Sequence, residues 1–352
     1  MEQNISILGA GQMGIALAAT FLKYGFSVRL FDTSNEALRS ARERISVELH
    51  CQNVSYPSNF DDKFFCTNEL HHVIKTGVIL ETIIEKKRAK QKLYQQLCPT
   101  LGNNTLLLTN TSTISISQLA ESVVLPERFC GFHFFHPVRE RPLVEIVRGR
   151  QTATSTLAQA KFLAQKIEKK PILVNDGPGF LVNRLLNPYL AQALQLLAGG
   201  ESLQRIDSIA ERFGMALGPF RLIDEIGLDV VLHGGWVLHK AFPDRVSPSP
   251  VLLKLIENGH LGRKTGLGFY RYDHEGFPLE DVPLEKERLV PFGHQSVSDK
   301  MIDEMILERL IGGMRQEADR LLDEKITDSR EDIELAVKLG LGFPQHRRFM
   351  LK

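Results

Sequence analysis

Gly9, Gly11 and Gly14 spell GxGxxG in GAGQMG, a spacing with a defined job when a strand precedes it and a helix follows. The first glycine permits a tight turn, the second lets the backbone approach a pyrophosphate, and the third lets helix and strand pack closely. The phosphates then sit on the helix N-terminus, where unpaired amides and the helix dipole favour an anion. Here the apolar run ISIL comes before the glycines and a helical stretch after them. A second strand, SVRLF, ends in Asp32, 18 residues beyond Gly14. A carboxylate there accepts from a ribose 2′-hydroxyl and repels a 2′-phosphate, so the expected dinucleotide is NAD rather than NADP. Gln12 and Met13 complete the loop. A glycine-rich turn with no ligand is the plain alternative, and the strand, turn, helix, strand context argues against it.

His133 and His136 in GFHFFHPV, with Glu145 in LVEIV, are residue types that serve either proton transfer or metal ligation. The segment reads as extended, so the two histidines do not converge as they would one turn apart on a helix, and no metal site is expected. A lone histidine on a strand is also a common, satisfied core group. His71 and His72 read as surface. Cys51, Cys66, Cys98 and Cys130 lie far apart with no CxxC pair, which argues against a zinc ribbon or a thioredoxin-type motif and for reduced thiols.

The elements that must hold these residues follow from the pattern. Apolar runs NISILGA, SVRLFD, VILETII, LLLTNTS and RFCGFHFF alternate with helical stretches, which predicts an α/β, doubly wound Rossmann-type domain with a parallel sheet. At NDGPGF the grammar changes to helical periodicity, and Pro188 should kink or break the helix LVNRLLNPYLAQALQLL. The stretch YDHEGFPLEDVPLEKERLVP reads as a linker. Beyond it ELAVKLGLGFP echoes SIAERFGMALGPF, each after a long amphipathic helix, which suggests a duplicated helical unit in an all-α C-terminal part. The expected division is 1–178 for the dinucleotide domain, 179–275 for the first helical domain, 276–294 for the linker and 295–352 for a shorter repeat.

The 352 residues are 43% hydrophobic, enough for two or three cores, and Lys plus Arg (43) balances Asp plus Glu (42). No nucleic-acid footprint results, although a local basic patch could still receive an acidic carrier. The opening MEQNISILGAGQMG lacks a basic n-region and no later apolar run has the length of a membrane span, so a soluble cytoplasmic protein is expected.

NTSTISI, GFHFFHPV with LVEIV, GPGFLVNRLL, RIDSIAERFGMALGPFRLIDEIGLD and GRKTGLGFYRYD, together with GAGQMG, resemble the 3-hydroxyacyl-CoA dehydrogenase family in order and spacing. EADRLLDE and LGLGFP extend the resemblance to the end of the chain, where it is similar to the dehydrogenase portion of multifunctional fatty-acid oxidation enzymes. The resemblance implies oxidation of a 3-hydroxyacyl thioester by NAD. It implies His133 as general base, Glu145 as the carboxylate that orients it, Ser112 as the hydroxyl that bonds the substrate oxygen, and Asn183 as the amide that completes the site in a cleft between domains. For the cofactor it implies Asn110, Glu81 beside the nicotinamide ribose, Lys86, Lys264 and the position held by His136. Taken singly, Ser112 and Asn183 are ordinary turn and capping residues, and Glu145 and Lys86 ordinary solvated charges.

The chain departs from the family at two places. His136 stands where asparagine is usual, and Arg139, Glu140 and Arg141 occupy a stretch that is mainly apolar in relatives. Charges there fit a polar or short acyl group, because burying them unpaired beside an alkyl chain is costly; a solvent-facing run is the alternative. The excursion between Asp32 and Thr67, which in the family contacts coenzyme A, is also short. Two substrates are therefore expected candidates: a 3-hydroxyacyl-CoA, or a polar acyl group such as glyceryl on an acyl carrier protein in polyketide extender-unit synthesis. A non-catalytic NAD-binding regulator and a dehydrogenase of another substrate class are the remaining readings. With a second helical repeat in the chain, a monomer would suffice; a homodimer is the other expectation.

Overall fold

The computed structural model describes residues 4–52, 54, 60–279 and 302–350. The chain divides into two compact units, Met1–Phe180 and Leu181–Lys352.

In the first unit, apolar runs become strands and the amphipathic stretches between them become crossover helices. The strands are β1 (Asn4–Leu8), β2 (Ser27–Phe31), β3 (Phe64–Thr67), β4 (Val78–Glu81), β5 (Leu106–Thr109), β6 (Phe129–Phe134), β7 (Leu143–Arg148) and β8 (Lys170–Asn175). They form one sheet in the order β3-β2-β1-β4-β5-β6-β7-β8. All neighbours are parallel except β6 and β7, which pair antiparallel. β4 and β5 are buried along their whole length, as strands covered by helices on both faces must be. The five runs expected as strands pair in parallel, and β7 adds an antiparallel neighbour to β6. The cause of that direction is the short connection from Phe135 to Pro142, which is too brief for the crossover that a parallel partner needs.

α1 (Gln12–Lys23) follows the glycine loop, and every residue from Gly14 to Leu22 is buried. Alanines at 16, 18 and 19 let it lie close to the sheet. α2 (Asn35–His50) starts at Ser34, whose hydroxyl accepts from Ala37 N at 3.2 Å, a cap worth about 1 kcal/mol. α3 (Phe60–Lys63), α4 (Lys87–Leu97), α5 (Ile116–Ala120) and α6 (Thr154–Lys166) complete the unit.

The second unit is helical: α7 (Val182–Ala198), α8 (Leu203–Phe213), α9 (Pro219–Ile226), α10 (Leu228–Ala241), α11 (Pro250–Glu257), then the helices Asp303–Asp323 and Arg330–Leu335. The break expected at Pro188 does not occur, since α7 runs through it. The helix Asp303–Asp323 packs along α7, with Gly313 so close that a Cβ there would lie 3.4 Å from Pro188 Cβ. The two segments that echo in sequence meet each other: Ala216 N donates to Gly342 O at 2.9 Å, and the Phe213 and Phe343 rings lie 5.6 Å apart. Of the expected linker, 276–279 are seen, with Pro278 bridged to Tyr272; the rest lies outside the described residues.

Candidate active site

Antiparallel pairing sets His133 on β6 directly across from Glu145 on β7. His133 Nδ1 and Glu145 Oε2 are 2.7 Å apart, with His133 5% and Glu145 0% exposed. A carboxylate only accepts, so Nδ1 carries the proton and Nε2 is left as the basic nitrogen. The imidazole is walled by the rings of Phe135 at 4.5 Å and Phe180 at 6.0 Å. An imidazole with a carboxylate behind it can take a proton at Nε2 and hold the resulting charge against Glu145.

Ser112 sits in the turn after β5, and that turn is gathered around one carboxylate that the sequence reading passed over. Glu85 Oε1 accepts from Thr111 Oγ1 at 2.6 Å, Ser112 N at 2.8 Å and Thr113 N at 3.1 Å. Lys90 Nζ lies 3.4 Å from Glu85 Oε2 and donates to Glu81 Oε1 at 2.6 Å. Burial alone would raise the Glu85 carboxyl, but Lys90 and the donors from 111–113 outweigh it and hold it below its ordinary range.

Glu81, expected beside a nicotinamide ribose, has its carboxylate fully engaged by the protein. Glu81 is fully buried at the end of β4, and its oxygens are taken by Lys90, Ile83 N, Tyr94 at 2.6 Å and Thr109 at 2.7 Å. Burial, reinforced by Glu81, pushes the Tyr94 hydroxyl far above its ordinary value. The half-exposed acid in ETIIEKK is Glu85, four residues on, and the buried cation is Lys90, whereas Lys86 is exposed and only begins α4. The signal was available: a residue ending a fully apolar strand run is interior, and the acid one short loop later is the one at the rim.

Residues 4–177 match the model of the 3-hydroxyacyl-CoA dehydrogenase NAD binding domain, and residues 179–272 that of the family's C-terminal domain. The chain belongs to the 3-hydroxyacyl-CoA dehydrogenase family. The chain is 33% identical over 352 residues to the fatty acid oxidation complex subunit alpha of Psychrobacter sp. (strain PRwf-1), with 97% of this chain and 49% of that protein covered. It thus spans about half the length of the curated relatives it matches. Its fold is similar to 3-hydroxybutyryl-CoA dehydrogenase from Escherichia coli K12, with a TM-score of 0.83, 25% identity, and 97% of this chain and 89% of that one covered. (S)-3-hydroxybutyryl-CoA dehydrogenase from Ralstonia eutropha gives a TM-score of 0.73 and 32% identity over 78% of this chain and all of that one.

NAD is the cofactor of this family's first domain, and the glycine loop of this chain fits it. A Cβ on Gly14 would lie 1.8 Å from Gly9 O, so that position is closed by the backbone of the turn itself, whereas a Cβ on Gly11 meets nothing within 4 Å. Gly9, at φ +114°, makes the turn. α1 has no side-chain cap and no acid in its first turn, which leaves its amides to an outside anion. Asp32 accepts from Ala10 N at 2.7 Å and Ser34 N at 2.8 Å, so it also holds the loop. Met13 packs on the core and offers only its backbone.

The Nε2 atoms of Gln12 and His136 lie 3.1 Å apart, tying the glycine loop to the turn after β6. Asn110 Oδ1 accepts from Phe134 N at 2.9 Å and joins the ends of β5 and β6. Arg139 reaches Glu48 on α2 at 3.1 Å and Glu140 at 3.0 Å, so its charge is matched at the surface. In the second unit, Asn183 is the second residue of α7, and Lys264 Nζ meets Asp229 Oδ1 at 2.5 Å. Among the described residues, Glu69, His71 and His72 are the group whose potential metal-ligand atoms lie within 4.8 Å of one another. They are on the surface, and His72 Nδ1 is 3.2 Å from Thr67 Oγ1.

Proposed function

We propose that the protein oxidises a 3-hydroxyacyl thioester to the 3-oxoacyl thioester, with His133 as general base. The observation that carries this reading is the buried 2.7 Å contact between His133 and Glu145. The substrate hydroxyl proton passes to His133 Nε2 as the carbon-oxygen double bond forms, and Glu145 stabilises the imidazolium. Bound NAD supplies the acceptor for the hydride that leaves the same carbon. Ser112, fixed by Glu85, and Asn183 hold the oxygen. Gly9, Gly11, Gln12 and Gly14 cradle the pyrophosphate, Asp32 holds the adenosine ribose, and Glu85, held from behind by the buried Lys90, takes the place of Glu81 at the nicotinamide end. Asn110, His136 and Lys264 complete the cofactor contacts. Four free cysteines, two of them buried, fit a reducing, cytoplasmic setting. No described helix is long and apolar enough to cross a membrane.

A second reading keeps the chemistry and changes the carrier: a polar acyl group such as glyceryl on an acyl carrier protein. It is favoured by the exposed run Lys86, Lys87 and Arg88 beside Ile84, which is 61% exposed, a cationic patch with an apolar centre that suits an acidic carrier. The test is NADH formation with 3-hydroxybutyryl-CoA and with carrier-bound hydroxyacyl and glyceryl groups. Turnover of the CoA thioester alone removes the carrier reading, and turnover of carrier-bound glyceryl alone removes the CoA one. Failure of every thioester, with NAD still bound, removes the dehydrogenase assignment.

A further inference from the structure

Arg184 directly follows Asn183 and is 2% exposed. A guanidinium keeps its proton in a protein, so its charge must be matched where it lies. Two carboxylates do this. Arg184 Nε donates to Glu317 Oε1, and its Nη1 donates to Glu324 Oε2 at 2.8 Å. Each carboxylate is gripped from its other side, Glu317 by Arg320 at 3.0 Å and Glu324 by Arg245 at 2.8 Å. The Phe242 ring lies 4.6 Å from the Arg184 guanidinium and 4.4 Å from that of Arg245.

The backbone gives this cluster its purpose. Pro188 lies four residues beyond Arg184 in α7 and has no N–H, so the Arg184 carbonyl lacks its helical donor. The first turn of α7, with Asn183 in it, is missing a rung, and the Arg184 side chain ties that turn to Glu317 and Glu324. Glu317 and Glu324 lie outside residues 179–272, the part matched by the family's C-terminal domain.

We propose that Glu317 and Glu324 are positioning residues for Asn183: through Arg184 they fix the first turn of α7, so the C-terminal segment completes the catalytic apparatus. The proposal rests on the reading of Asn183 as the amide that holds the substrate oxygen. The decisive variant is Arg184→Met/Glu317→Leu, which removes both members of the most buried pair and leaves Glu324 with Arg245; such replacements are often neutral for stability. Its melting temperature and its KM for NAD should stay near those of the parent. Its kcat with the thioester that the protein turns over should fall by at least about tenfold, as for a misplaced catalytic group. Hydrogen exchange in the 181–187 peptide should quicken, and Asn183→Ala should cost much less in this background than in the parent.

A paired variant with parental kcat and parental exchange overturns the proposal, as does an Asn183→Ala cost that is the same in both backgrounds. Glu324→Gln is a second variant expected to lower kcat. If Asn183→Ala leaves kcat unchanged in the parent itself, the Asn183 reading fails, and the positioning proposal falls with it for that separate reason.

Discussion

His133 is useful as a base only if the correct nitrogen is bare, and the 2.7 Å bond to Glu145 determines which one that is. Glu145→Gln keeps the shape and removes the buried anion, so kcat should fall by about 10²- to 10⁴-fold with little change in the KM for NAD. A variant with full activity would disprove the assignment of Glu145. Glu85→Ala should act differently. It takes one of two carboxylates from Lys90, leaving Glu81, and removes the acceptor shared by the donors at 111–113, so both the KM for NAD and kcat should suffer and the melting temperature should drop. Steady-state kinetics together with a thermal melt separate the two variants. The sequence marked His133, Glu145 and Ser112 by their order and motif. It did not separate Glu81 from Glu85, because two acids four residues apart differ in burial, and burial comes from where β4 ends.

At the scale of elements, the loop from β1 to α1 uses its glycines for different reasons. Gly14→Ala puts a methyl 1.8 Å from Gly9 O, a backbone atom that cannot step aside, so folding yield and melting temperature should fall sharply. Gly11→Ala adds its methyl to open space and should leave the melting temperature nearly unchanged while weakening NAD binding, read by titration calorimetry. Equal NAD affinity in Gly11→Ala and the parent would argue against a pyrophosphate at that point. The β6–β7 pair was the least legible element. LVEIV carries strand residues, but its direction follows from a connection too short to cross over, which residue type alone does not specify. α7 shows the opposite case: Pro188 is plain in the sequence, yet packing against the helix Asp303–Asp323 carries the helix through it.

At the scale of the molecule, the second unit is bolted by two interior carboxylates. Asp207 accepts from Phe220 N and Tyr270 Oη, and Asp224 from Phe269 N, Tyr270 N and Tyr272 Oη. Burial pushes both up to about 6, against the bonds that favour the charged form. An unfolded aspartate titrates at about 4, so the folded state holds extra protons between these values. Their contribution to stability is present below about pH 4 and is lost as pH rises through about 6. Asp224→Asn should flatten the pH dependence of the melting temperature across that window, whatever its effect on the temperature itself. An unchanged slope would show that Asp224 is ionised throughout the window.

The sequence alone determined the dinucleotide loop and the order of the family's motifs, because these depend on short-range features: glycine φ values, strand and helix periods, and residue types within a turn of one another. The change from sheet to helices near Gly177 was equally local, and the two units divide at Phe180. Only the tertiary structure decided which acid lies at the rim and which beneath it, that His133 faces Glu145 across an antiparallel pair, and that the charge beside Asn183 is matched by Glu317 and Glu324. Those are contacts between residues far apart in the chain, where strand direction and burial, rather than residue type, decide which groups meet.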